Sequence, residues 1–598
     1  MIYCTPTGSC GQSRQRIVVK QQSICVNLSA GCCACSSVHR TLRVAKYLST
    51  KYKGAENILY FSILLFSFIA NNAGAQKIFQ ITPKPVTALE IQKPPVTIDG
   101  KAVITYDIKF KDQALYLSDE IKKQAGLDLK AIPAGSYKQG SAIQLVFDNS
   151  SSIDKEEMYR LQVSGKTVTI RAKSIRGIVN GIQSLLQLLP LESSASVSIA
   201  ACTIIDYPRF SYRGMHLDVV RHFFPASYIK KYIDYLTFHK FNTFHWHLTD
   251  DQGWRIEILS YPKLNSIGSW RDSTLIGHFN DKPARYEKQR YGGYYTRDEV
   301  KDIIAYAAVR GITIIPEIDI PGHNRATITA YPEFSTDPSE KWGVAYTWGM
   351  FNRQNNVLAP SPATFEFLKK VFQEVADLFP SPYIHLGGDE CSKMWWKQTP
   401  WIQQFIKDNH LKDEAGLQTY FIAQVSRFLK EKNKKVIGWH EIMEGDLDKS
   451  TIVMNWGDEA KAIEAATKGY SVIMTPGKPY YFDHYQSKDP KDSLAIKGYN
   501  PLEAVYKYEP VPQSIIKKGL ARKIIGGQAN VWTEYMGYPT KVDYMIFPRM
   551  TAISETLWTP ADQKNYADFV NRLKENIIPR YKYWNSSWFP AFETWKAE

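Results

Sequence analysis

Cysteine is nearly absent from the body of this 598-residue chain: after residue 75 only Cys202 and Cys391 remain, so no disulfide framework can hold the fold together. No apolar run approaches the roughly 20 residues that a membrane-crossing helix needs. There is also no Lys/Arg-rich run, although the net charge is +15. Eight basic residues against the single acid Glu56 place +7 of that charge in residues 1–75, and the remaining +8 is spread thinly over the rest. So diffuse an excess gives no concentrated surface for nucleic acid. The leader holds Cys4, Cys10, Cys25, Cys32, Cys33 and Cys35, but no Cys/His set at finger-like spacing follows the Cys32–Cys35 cluster. No zinc module, other metal or cofactor is therefore expected.

What is present is a globular composition, 44% hydrophobic and 22% charged, with 15 Trp and 36 Tyr. The length predicts several domains. Residues 51–76, KYKGAENILYFSILLFSFIANNAGAQ, run from basic residues through an apolar stretch at 58–70 to Ala73-Gly74-Ala75. That order is the pattern of a secretory signal peptide with cleavage near 75/76. Residues 1–75 are thus expected to be a leader whose true start lies near residue 50. The mature protein is expected to be exported, periplasmic or extracellular, and without a membrane span.

From 76 to 207 the chain alternates short β-like runs with turns, as in AIQLVFDN (142–149), YRLQVSG (159–165) and KTVTIRAK (166–173). GIVNGIQSLLQLL (177–189) reads as a helix with Ile178, Ile182, Leu185, Leu186 and Leu189 on one face. These features predict a small α+β domain. Between 208 and 560 short apolar runs alternate with amphipathic helices, the pattern of βα units on a parallel sheet. Eight candidate strands, at 212–219, 243–250, 312–319, 383–388, 435–439, 451–456, 471–476 and 523–532, favour an α/β fold of the (β/α)8 TIM-barrel type over an open sheet. Thr296 and Glu299 make a capping box with Gly311 at the helix stop, and 228–241 repeats the apolar stripe. Residues 561–598 form a short helical tail with Trp584, Trp588 and Trp595.

In such a barrel all catalytic groups come from the C-terminal ends of strands. The strand ends here present Arg221; Asp250 and Asp251; His323; Asp389 and Glu390; Trp439; Trp456; Tyr481 and Asp483; and Trp532 and Glu534. Each alone reads equally well as a loop acid, a core aromatic or a local ion pair. Their shared register is what points to one site. Aromatic faces suit the C–H faces of a pyranose, and Arg with carboxylates suits its hydroxyls.

The segments YRGMHLDVVRHF, FHWHLTDDQGWR, PEIDIPGH, YIHLGGDE, VIGWHEI and FPRMTAISE resemble, in this order, glycoside hydrolase family 20, the β-N-acetylhexosaminidases. The resemblance covers roughly 100–560. It implies an exo-acting, retaining enzyme removing terminal N-acetylglucosamine or N-acetylgalactosamine from oligosaccharides, with the substrate's acetamido oxygen as nucleophile and an oxazolinium intermediate. It further implies Glu390 as general acid and base, and Asp389 as the group holding the acetamido. Arg221 and Glu534 would bind sugar hydroxyls; Trp439, Trp456 and Trp532 would form the acetamido pocket and sugar floor. Tyr481 would contact the acetamido oxygen and Asp483 a hydroxyl, with Asp250 and His323 supporting the acid pair. Gly387 and Gly388 are expected to leave room for the sugar. Cys391, next to Glu390, reads as packing.

Two alternatives compete. His245-Trp-His247 on a strand puts both imidazoles on one face, as a metal-dependent hydrolase would require. A non-catalytic sugar-binding relative would share the pocket, although the presence of both Asp389 and Glu390 argues against it.

Overall fold

The computed structural model describes residues 80–444 and 447–590. The leader, its apolar run at 58–70, the cleavage point and Trp595 lie outside the described residues. Among the described residues no helix is long and apolar enough to cross a membrane.

The first part of the chain builds a seven-stranded mixed sheet from β1 (Thr87–Glu90), β2 (Val103–Tyr106), β3 (Lys130–Pro133), β4 (Ala142–Phe147), β5 (Tyr159–Ser164), β6 (Thr167–Ala172) and β7 (Cys202–Asp206). Its spatial order is β1-β7-β5-β6-β4-β2-β3. Two helices, α1 (Lys111–Ala125) and α2 (Ile175–Leu188), pack on the sheet and on each other. Ser174 caps α2 by accepting the Gly177 N–H, and Ile178, Ile182 and Leu185 are wholly buried. The α+β pattern is thus explained by one apolar stripe on α2 meeting the alternating inner face of β5 and β6.

The second part closes into a ring of eight parallel strands: β8 (Tyr212–Asp218), β9 (Thr243–His247), β10 (Thr313–Glu317), β11 (Tyr383–His385), β12 (Lys435–Trp439), β13 (Ile452–Asn455), β14 (Ser471–Met474) and β15 (Ile524–Ala529). β8 pairs with both β9 and β15, which closes the barrel. Helices α3 (Ala226–Phe238), α4 (Arg297–Val309), α5 (Pro362–Leu378), α6 (Glu414–Glu431), α7 (Glu459–Thr467) and α8 (Arg549–Trp558) belong to the barrel region. α4 begins on the capping box of Thr296 and Glu299, and Gly311 behind it takes a φ of +70°, a conformation glycine adopts without steric cost. The eight strands fall inside the predicted runs. The fourth is the shortest, three residues, because the glycines at 387 and 388 turn the chain out of the sheet immediately afterwards.

The two parts are joined by buried charge. Lys240 Nζ lies 2.9 Å from Asp206 Oδ2 with both side chains fully buried, and Arg213 pairs with Glu157. Asp206 also accepts the Trp558 indole N–H at 2.9 Å. Breaking either pair would leave a charge in the interior, which costs about 3–5 kcal/mol. The C-terminal segment binds to both parts: Arg572 donates to the Ile81 carbonyl and pairs with Glu555, while Trp584 packs 4.8 Å from Phe238.

Long connections follow β9 and β10, and both contribute to the wall at the mouth of the barrel. The stretch after β9 folds into short antiparallel ribbons, Trp270–Arg271 with Tyr291–Gly292 and Thr274–Ile276 with Arg285–Glu287. The Leu275 N–H donates to the Tyr346 carbonyl at 2.9 Å, tying this loop to the one after β10.

Candidate active site

At the C-terminal mouth of the barrel lies a cleft of about 280 Å³ whose lining includes Arg221, His323, Asp389, Glu390, Trp456, Tyr481, Asp483, Trp532 and Glu534. Phe279, from the ribbon loop, and Trp348, Gly349 and Met350, from the loop after β10, complete its wall. These side chains come from distant stretches of chain, and only the ring of strand ends brings them together.

Asp389 and Glu390 follow β11 through two left-handed glycines, and Glu390 itself sits at a φ of +42°. A non-glycine residue held there is strained by about 1–2 kcal/mol. The turn sends the two carboxyls to different depths: the Asp389 side chain is 15% exposed and that of Glu390 49%. Both lie near one imidazole, His323 Nε2, at 3.8 Å from Asp389 Oδ2 and 3.7 Å from Glu390 Oε2. Withdrawal from water raises the Glu390 carboxyl above its ordinary range; the charge of Asp389 adds to this and His323 works against it. Asp389 is also raised, first by burial, with His323 opposing and Glu317 reinforcing the shift.

The glycines do not make room for a ligand as expected. A Cβ on Gly387 would stand 1.8 Å from Asp319 Oδ1, and one on Gly388 would stand 2.4 Å from the Ile442 side chain. Protein atoms fill both spaces, so the correction is that the glycines admit Asp319 and Ile442, not the sugar. Asp319 Oδ1 in turn accepts the Gly388 N–H at 2.9 Å.

Arg221 forms one end of the cleft. Its Nη2 lies 2.7 Å from Asp250 Oδ2, its Nε donates to Gln252 Oε1 at 2.9 Å, and its guanidinium carbon is 5.2 Å from the centre of the Trp532 ring. Two buried acceptors facing this region have no protein hydrogen-bond partner, Asp483 Oδ1 and Glu534 Oε2, while Asp389 is hydrogen-bonded to the Asp319 carboxyl, which burial and Asp389 hold well above the carboxylate range. A buried carboxylate oxygen left unpaired is costly, and donors supplied by a polyhydroxylated ligand would satisfy it. Asp483 is pushed well above the carboxylate range, first by burial and then by Glu534.

Trp439 is placed differently from the expectation. None of its surface is exposed; its ring centre lies 6.0 Å from that of Trp532, and its indole N–H donates to Glu317 Oε1 at 2.9 Å. It therefore supports Trp532 from within the barrel and is not part of the exposed cleft wall, because its strand, β12, ends at its own α-carbon. Asp250, 1% exposed, lies behind the wall between Arg221 and His323, whose Nδ1 is 3.1 Å from Asp250 Oδ1 and 3.2 Å from Asp251 Oδ2.

Several participants were not singled out from the sequence. Glu317 and Asp319 stand in the same EIDIPGH segment as His323, and alternation from the strand end puts them on one face. Glu441, in VIGWHEI, accepts the Trp456 indole N–H at 3.1 Å; burial, followed by Asp389, pushes its carboxyl up to about 8. Cys391 is buried, and its thiol is pushed up to about 12 by burial, so it is packing and not a nucleophile.

The His245/His247 pair does face inward, to Glu317. The trio His216, His245 and Glu317 has ligand atoms within 4.8 Å of one another, as do two trios containing His323. Yet His216 Nδ1 accepts the Val531 N–H at 3.2 Å and His245 Nδ1 accepts from the Gln528 amide at 3.0 Å. Each neutral ring therefore carries its proton on Nε2, leaving no lone pair there for a cation. The donor set is that of a hydrogen-bonded network.

Comparison with known proteins gives a consistent family. The model for the glycosyl hydrolase family 20 catalytic domain matches residues 210–561, and that for domain 2 of the same family matches 79–207. A β-hexosaminidase of Porphyromonas gingivalis is 41% identical over 489 residues, which cover 80% of this chain and 61% of that protein. The chain therefore spans less than two thirds of that relative. A β-hexosaminidase of Vibrio furnissii is 40% identical over 423 residues, 69% of this chain and 67% of the relative. Among solved structures, the family 20 exo-β-N-acetylglucosaminidase of Vibrio harveyi in complex with N-acetylglucosamine superposes with a TM-score of 0.75 at 33% identity, covering 86% of this chain and 78% of its own.

Proposed function

The chain belongs to glycosyl hydrolase family 20, and from that premise we propose that it is a β-N-acetylhexosaminidase that removes single terminal N-acetylglucosamine or N-acetylgalactosamine residues from the non-reducing end of oligosaccharides, with retention. The carrying observation is the pairing of two unlike acids in one small cleft: Glu390, half exposed with a raised pKa, beside the more deeply set Asp389, which the Asp319 carboxyl holds by a hydrogen bond. A cleft of about 280 Å³ is at the small end for ligand sites and suits one sugar ring.

In this reading the protonated Glu390 gives its proton to the glycosidic oxygen as the bond to the anomeric carbon breaks. The acetamido oxygen of the same sugar forms the new bond to that carbon, and Asp389 accepts the acetamido N–H and offsets the charge of the oxazolinium. The Glu390 carboxylate then takes a proton from water, which opens the oxazolinium from the face the leaving group left. Two displacements give retention, and the protein contributes no covalent nucleophile. Arg221, Asp483 and Glu534 bind ring hydroxyls, Trp532 and Trp456 stack on the sugar and its acetamido group, and Tyr481 donates to the acetamido oxygen. The segment at 51–76 supports export of the mature protein to the periplasm or beyond.

The test compares aryl β-glycosides of N-acetylglucosamine and glucose. Loss of nearly all turnover on removing the acetamido group is expected. Equal rates would replace the substrate nucleophile by a protein one.

A further inference from the structure

Beneath the cleft, the side chain of His247 is clamped between two carboxylates. Its Nδ1 lies 2.6 Å from Glu317 Oε2 and its Nε2 lies 3.0 Å from Asp250 Oδ2, with all three side chains 0–1% exposed. A neutral imidazole donates from one nitrogen only, whereas both nitrogens here face acceptors, so the ring that satisfies both is the imidazolium. Burial opposes this charge, but Glu317 and Asp250 outweigh it and hold the ring up to about 10. Glu317 is fixed from its other sides by His245 Nε2 at 3.0 Å and the Trp439 indole at 2.9 Å.

We propose that His247 is a permanently charged positioning residue: it anchors Asp250 from behind, and through Asp250 and His323 it lowers the proton affinity of Glu390. The route is continuous, from Glu317 to His247 to Asp250, then to His323 Nδ1 at 3.1 Å, whose Nε2 is 3.7 Å from Glu390 Oε2. His247 is also faced by the His216 ring at 5.7 Å and the Trp532 ring at 5.0 Å. His323 is faced by Asp250, Asp251, Asp389 and Glu390; Glu390 feels His323, Asp389, Arg221 and Asp250. His323 is already held well above its ordinary range, despite burial, by Asp250 and Asp251. It cannot take up a further proton to compensate if the positive charge behind Asp250 is removed, so the change must reach Glu390.

The inference rests on Glu390 as the acid, and it is tested in two ways. In the His247→Gln variant, one donor remains but the charge is gone. The high-pH limb of kcat/KM, where Glu390 loses its proton, is expected to move up by roughly one pH unit. A variant that loses activity evenly at all pH values, with that limb unmoved, would overturn the proposal. The second test needs neither the variant nor turnover: neutron diffraction from the unmodified, unliganded protein near neutral pH is expected to show deuterons on both Nδ1 and Nε2 of His247. A deuteron on one nitrogen only would overturn the proposal while leaving the assignment of the reaction intact.

Discussion

Asp319 and Gly387 occupy each other's space: the carboxylate oxygen Oδ1 of Asp319 lies 1.8 Å from where a Cβ of residue 387 would stand. The glycine is therefore required twice, once for its φ of +64° and once for the absence of a side chain. The contact is what lets a buried carboxyl from the segment after β10 reach across to the turn that presents Asp389.

Gly387→Ala should accordingly be among the most damaging single changes at the site. The left-handed backbone alone costs an alanine about 1–2 kcal/mol, and the overlap forces Asp319 away from the Gly388 N–H. We expect a lowered thermal midpoint together with a loss of kcat larger than the loss of stability explains, measured by melting and by steady-state kinetics. A variant with wild-type kcat would show that the contact has no bearing on Asp389.

The sequence carried the barrel because each strand is a short apolar run and each helix a separate stripe, and strand ends in a closed ring must meet. Arg221, His323, Asp389, Glu390, Trp456, Tyr481, Asp483, Trp532 and Glu534 could be read together for that reason. What could not be read was depth. Trp439 and Trp532 both terminate apolar runs, and only the three-dimensional stagger decides which one meets the cleft. Asp319 was illegible for a different cause, since its partner is the space a glycine does not fill. His247 drew attention as a metal ligand because a spacing of two residues fixes the face of a strand but not the partner beside it on the next strand. Glu317, fully buried on the neighbouring strand, supplies that partner.

Asp389→Asn should move the pH profile opposite to the His247 variant. The negative charge of Asp389 contributes to raising the Glu390 pKa, so its removal lets Glu390 ionise at lower pH. In the proposed mechanism the reaction begins with protonated Glu390, so activity would be lost as pH rises through that pKa, and the high-pH limb of kcat/KM should shift downward. The remaining activity should also fall by about 10²-fold or more, as expected when a group stabilising developing charge is lost. An unmoved limb would mean that Asp389 is uncharged in the resting enzyme.

Glu390→Gln removes the transferable proton while keeping shape and size. General acid catalysis is worth about 10²–10⁴-fold, and it matters most where the departing oxygen is a poor leaving group. We expect that full loss on a disaccharide and a much smaller one on a dinitrophenyl glycoside, read from the leaving-group dependence of kcat/KM. Equal losses on both would assign the proton to another group, for which Glu441, with a pKa near 8 and hydrogen-bonded to Trp456, is the neighbouring candidate.

Arg221 permits a sharper test, because its partners divide its work. Nη2 pairs with Asp250, Nη1 lies 3.4 Å from Asp218, and Nε donates to Gln252. That leaves donor capacity on a five-donor fork for hydroxyls of a terminal sugar. Arg221→Lys retains the charge but cannot span Asp250 and a hydroxyl at once, so KM should rise while the protein still folds. Charged hydrogen bonds of this kind contribute about 1.5–3 kcal/mol, or roughly ten- to a hundredfold in kcat/KM. The same loss should appear when the wild-type enzyme is given a substrate lacking the 4-hydroxyl, and the two losses should not add. A double-mutant cycle between enzyme and substrate measures this directly. Fully additive losses would place Arg221 behind the sugar, as a partner of Asp250 alone, and would move recognition of that hydroxyl to Glu534 and Asp483.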